Sequence, residues 1–95
     1  MLIGSEAVNE SRRQVVEVID GKPVTRGQLA DAFDLVADAA NWKNPIDKTL
    51  RVSDETRVLI ERAVTFFAGC HARFQKLGEN HYRVTARGYY LAVGA

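Results

Sequence analysis

The residues best suited to chemistry gather between positions 70 and 87, where one cysteine, two histidines and three arginines fall within eighteen residues. Cys70 precedes His71, and a thiol beside an imidazole suggests a nucleophile with its base. Neighbouring residues of an extended segment point to opposite faces, however. Cys70 also continues the apolar stripe of the helix before it, where burial raises a thiol pKa and makes it inert, so a core cysteine is expected. A metal site built from Cys70, His71 and His81 is also disfavoured. With a three-residue hairpin loop the two histidines stand roughly 13 Å apart along the sheet, too far for one ion. Asp31, Asp34 and Asp38 share a helix face and read as a solvated acidic surface, at most a docking surface for a basic partner.

The arginines carry more. His71, Arg73, Gln75, His81, Arg83, Thr85 and Arg87 fall on one side of a predicted hairpin, a cationic set without an acidic member. An odd loop of three or five residues puts the alternating apolar set on one face. In the three-residue register Arg73 faces Arg83, which requires a neutralising partner: Glu17 of the first strand, an anion, a nucleic-acid phosphate or an acidic protein surface. His71, Arg73, His81, Arg83 and Arg87 are the candidate anion or nucleic-acid contacts, against the plainer reading of an ordinary solvent-facing sheet. Trp42, Lys43 and Pro45 form a second candidate, a tryptophan beside a rigid turn that either anchors a partner or plugs the end of the helix layer. Tyr89 and Tyr90 open a third, a C-terminal apolar segment that completes the sheet, pairs with a second subunit, or both.

These residues need elements to hold them. Residues 1–12 read as a flexible arm and 13–95 as one domain. Gln14 to Ile19 is β-branched and strand-like, and Asp20-Gly21-Lys22-Pro23 is a turn signature leading into a very short strand at Val24-Thr25. Thr25 and Gln28 make a capping box, Val24 and Leu29 a hydrophobic staple. Leu29, Ala32, Phe33, Val36 and Ala40 then give the apolar stripe of a helix ending near Asn41. Residues 41–52 show no regular period and read as a structured connection anchored by Trp42, Ile46 and Leu50. Ser53 caps a second helix with Asp54 and Glu55 in its first turn and Gly69 as terminator. Its core stripe is Leu59, Ala63, Phe66, Phe67 and Cys70, broadened by Val58, Ile60 and Val64, and Arg57 can pair with Glu61. After Gly69 the period falls to two, which marks the hairpin. The expected fold class is α+β: a small antiparallel sheet of N-terminal strand, C-terminal hairpin and final strand, covered on one face by two helices.

Composition sets the outer bounds. The chain has 95 residues, 46% hydrophobic and 26% charged, with net charge +1, which suits a single ordered domain without a global field for nucleic acid or membrane. Modest size makes self-association useful to stability. A single cysteine, a short apolar start at Met1-Leu2-Ile3 and no membrane-length apolar run lead us to expect the cytoplasm. No Gly-rich phosphate loop, Gly-x-Ser-x-Gly, His-Glu-x-x-His or Cys-x-x-Cys occurs, so no cofactor or catalytic residue is expected.

Asn-Trp-Lys-Asn-Pro-Ile-Asp at 41–47, Val-Thr-Phe-Phe-Ala-Gly at 64–69 and Gly-Tyr-Tyr-Leu-Ala-Val-Gly-Ala at 88–95 resemble a group of small hypothetical proteins of bacteria, phages and mobile elements. The resemblance spans about residues 14–95 and implies an accessory role without an established activity. Tyr82 to Gly88 also looks like the end of a winged-helix wing, which implies a helix over 86–93 and arginines on phosphates. That likeness requires the preceding helix to enter a groove, yet its Val58, Leu59, Ile60, Val64, Phe66 and Phe67 suit burial. The expectation is a non-catalytic interaction module, homodimeric, with an unidentified protein partner and no membrane contact. The alternatives are a nucleic-acid-binding protein using the basic hairpin and a small enzyme with a histidine acid–base.

Overall fold

The computed structural model describes residues 10–37 and 45–87. Its elements run β1 (Val15–Ile19), β2 (Lys22–Thr25), α1 (Arg26–Asp34), β3 (Ile46–Arg51), α2 (Asp54–Ala68), β4 (Arg73–Gly78) and β5 (His81–Ala86). The class is α+β, as the alternation of periods predicts. No helix among the described residues is long and apolar enough to cross a membrane.

The N-terminal strand forms a hairpin of its own with β2. Asp20 and Gly21 both take positive φ, at 51° and 77°, the tight turn that the right-handed strand twist favours. Residues 10–13 form a helical turn before it. Arg12, placed by the sequence in a loose arm, grips Asp31 through two hydrogen bonds of 3.0 Å. Gly27 lets this turn approach α1, because a Cβ there would sit 3.0 Å from the Arg12 carbonyl oxygen.

Helix α1 starts as its sequence dictates. The Thr25 hydroxyl accepts from the Gln28 amide at 3.2 Å, and the Gln28 side chain accepts from the Thr25 amide at 2.8 Å. The helix closes earlier than its apolar stripe suggests. After Asp34, tighter bonds from Leu35 and Val36 to Ala32 and Phe33 turn the chain and carry Val36 into the core. Ala40 lies outside the described residues.

Helix α2 has the expected Ser53 cap and ends on Gly69 at φ 68°. Its buried stripe is Ile60, Ala63, Val64 and Ala68. Phe66 belongs to the flank, 42% exposed, with its ring edge-on to Phe67 at 4.9 Å and the Arg26 guanidinium 5.5 Å away. Both helices meet Ile46, Val84 and Ala86 in a single cluster centred on fully buried Leu29, Ile60, Val64 and Val84.

The sheet layout differs from the expected one. Residues 46–51 form strand β3, not a connection, and the three-stranded sheet has the order β3-β5-β4 with all pairs antiparallel. The N-terminal strand belongs to the separate hairpin, and the expected final strand after Arg87 falls outside the described residues. Ile46 and Leu50 do face inward with period two, but Lys48 sits between them on the same face and masks the alternation. A half-covered edge strand accommodates that lysine because its head reaches water at the rim.

Candidate functional site

A two-residue turn and a bulge fix the hairpin register, in place of the expected odd loop of three or five residues. Phe74 pairs with Val84 and Lys76 with Tyr82, a bulge follows, and Glu79-Asn80 makes the turn with Asn80 at φ 53°. Arg73 therefore faces Thr85 and Arg83 faces Gln75, which removes the head-on arginine pair of the three-residue register. Tyr82, Val84 and Ala86 are buried, and Phe74 is half-buried against them. Arg73, Gln75, Arg83 and Thr85 occupy the opposite, outer face.

Strand β3 adds to that face two charged residues that the hairpin alone does not reveal. Asp47 pairs with Thr85, Thr49 with Arg83 and Arg51 with His81. Arg73, Arg83 and Arg51 consequently form a diagonal across all three strands, each step a one-strand, two-residue offset of about 7–8 Å. Thr49, Thr85 and Gln75 flank the diagonal with neutral hydrogen-bonding groups. Among the described residues, the face carries no Phe, Tyr or Trp ring.

Asp47 is the one carboxylate among the strand residues of this face. It takes two hydrogen bonds from Arg83, Nε to Oδ1 at 3.0 Å and Nη2 to Oδ2 at 2.9 Å. The hydrogen bond from Arg83 holds the Asp47 carboxyl below its ordinary value, and the same contact raises that of Arg83. Glu17, the neutraliser anticipated from the sequence, instead meets Arg62 at 3.3 Å, because its strand joins the other sheet. Among the described residues, no carboxylate forms an ion pair with Arg51, Arg73 or Arg87.

The remaining candidates separate. Exposed His71 precedes β4 and joins Arg73, Arg83, Arg87, Asp47 and Pro45 around one open concavity. His81 stands at the hairpin turn, at the other end of the sheet. The two histidines are thus not brought together, and among the described residues no group of three or more His, Cys, Asp or Glu could hold a metal ion. Cys70 is buried at 7% exposure, and desolvation pushes its thiol up, the condition of an unreactive core cysteine. Trp42, Lys43, Tyr89 and Tyr90 lie outside the described residues.

On the inner side of the sheet, the Tyr82 hydroxyl donates to the Asp54 carboxylate in the first turn of α2. Arg57 lies 5.6 Å from the Phe74 ring and 5.9 Å from Tyr82, and it also pairs with Glu61 at 3.6 Å. These contacts bind the sheet to α2 and fix the strand bearing Arg83. No family model, curated protein or solved structure matches the chain.

Proposed function

We propose that this chain is a non-catalytic binding module that holds nucleic acid by its phosphate backbone on the outer face of the three-stranded sheet. The observation that carries this reading is the diagonal of Arg73, Arg83 and Arg51, continued at one end by Arg87 and His71 and opposed by the single carboxylate of Asp47. Guanidinium groups at regular spacing suit phosphates, which are repeated anions that accept two hydrogen bonds from one planar donor. A protein partner is less well served, since interface hot spots need aromatic or apolar anchors and the described rings of this sheet point inward. The same lack of Phe, Tyr and Trp leaves little platform for base stacking, so contacts go to the backbone and discriminate little between sequences.

The test is fluorescence anisotropy with a labelled duplex and a labelled single strand across a salt series. Three phosphate contacts give a slope of log K against log salt of about −2 to −3 on duplex. Combined Arg73→Ala, Arg83→Ala and Arg87→Ala substitution abolishes binding, whereas Lys22→Ala in the other hairpin leaves it intact. Absence of binding at low salt, or equal binding by the triple variant, refutes the reading.

A further inference from the structure

We infer that two copies of this chain join edge to edge through β3, antiparallel about a twofold axis at Thr49, to make one continuous six-stranded sheet. Strand β3 pairs with β5 on one side, and among the described residues nothing pairs with the other. The Val52 amide donates to the Asn80 carbonyl at 2.9 Å, which fixes the phase of the ladder. Hydrogen-bonded and open pairs alternate in antiparallel sheet, so residues 48 and 50 bond to β5 while Asp47, Thr49 and Arg51 aim their backbone groups at the free edge.

The other edges are blunted. Strand β4 has a bulge between Lys76 and Gly78, β1 has one between Val15 and Glu17, and β2 carries Pro23, which has no N–H to offer. Strand β3 runs through six consecutive pairs without a break. Its own charge order specifies the occupant. With Thr49 opposite Thr49 of a second copy, Asp47 faces the other copy's Arg51, and symmetry makes the pair twice. The neighbouring registers that keep faces matched set Lys48 against Lys48, or leave Asp47 opposite Ser53. In the favoured register the Lys48 stem lies beside the half-buried Leu50 of the other copy. This inference rests on the β3 edge and does not require the nucleic-acid reading; it commits Arg51 to the second copy and leaves Arg73, Arg83 and Arg87 for phosphate.

Sedimentation velocity on the full chain, without nucleic acid, tests it. The expected result is a monomer–dimer equilibrium that rises with concentration through the micromolar range. Thr49→Pro removes an N–H that faces the free edge and therefore leaves the β3–β5 ladder whole; it gives a monomer with an unchanged circular dichroism spectrum. Oxidised Thr49→Cys forms a disulfide-linked dimer, since opposed hydrogen-bonded residues stand about 5.5 Å apart at Cα, within disulfide reach. Gln75→Cys, on β4, does not. Arg51→Asp weakens association, and adding Asp47→Arg restores it. A chain monomeric at several hundred micromolar, a dimer that persists in Thr49→Pro, or equal cross-linking through Gln75→Cys overturns the inference.

Discussion

Asp47 of β3 and Arg83 of β5 form a two-bond clasp across the outer face, with donor–acceptor distances of 3.0 and 2.9 Å. The two residues sit diagonally, since Arg83 pairs with Thr49 and Asp47 with Thr85. One carboxylate thus holds the central member of the arginine diagonal in a fixed orientation and offsets its charge.

Asp47→Asn removes the negative charge while keeping a hydrogen-bonding side chain of the same size. Under the proposed function Arg83 no longer shares its guanidinium with a carboxylate, so its phosphate contact strengthens and affinity for duplex rises several-fold at low salt. Both residues of the pair are exposed, so the thermal midpoint changes little. Anisotropy and thermal melting on one preparation separate the two effects.

Tyr82→Phe removes the hydroxyl that donates to Asp54. That hydrogen bond holds Asp54 below its ordinary pKa and raises that of Tyr82. A depressed carboxylate pKa contributes stability that is present above the unfolded value of 3.8 and is lost as pH falls through the folded one. A raised phenol pKa contributes stability that is full below 10.0 and fades as pH rises through its folded value. The variant is therefore less stable at neutral pH, and the difference from the native chain shrinks on both the acid and alkaline sides. Urea midpoints measured from pH 2 to 11 report this directly.

Leu29→Ala empties the position where α1 meets α2, at 0% exposure. The expected loss is about 2–5 kcal/mol, a large share of the stability of a domain this small. Thr25→Ala, which deletes one half of the capping box, costs about 1 kcal/mol. Urea unfolding should rank the two in that order.

What was legible in the sequence was local or periodic. The Thr25–Gln28 box, the Ser53 cap, the Gly69 terminator and the period-two segment from Arg73 to Ala86 each follow from a few adjacent residues. Parity alone predicts an odd hairpin loop of three or five residues, but the turn is the two-residue Glu79-Asn80 with Asn80 at positive φ, and the bulge between Lys76 and Gly78 supplies the extra residue that keeps the apolar set on one face. Strand β3 was missed because Lys48 occupies an inward position that only a half-covered edge tolerates. With β3 went the two residues that complete the face, Asp47 and Arg51. Pairing between Glu17 and Arg62 depended on which sheet β1 joined, a long-range choice that alternation in one strand does not encode.

Residue-level mapping by 1H–15N NMR during titration with a short duplex tests the binding face most directly. The account predicts shift changes concentrated at Arg51, Arg73, Gln75, Arg83, Thr85 and Arg87, reversed by added salt, with Val18, Phe66 and Asp31 unmoved. Changes centred on α1 or the β1–β2 hairpin, with the outer sheet silent, would contradict it.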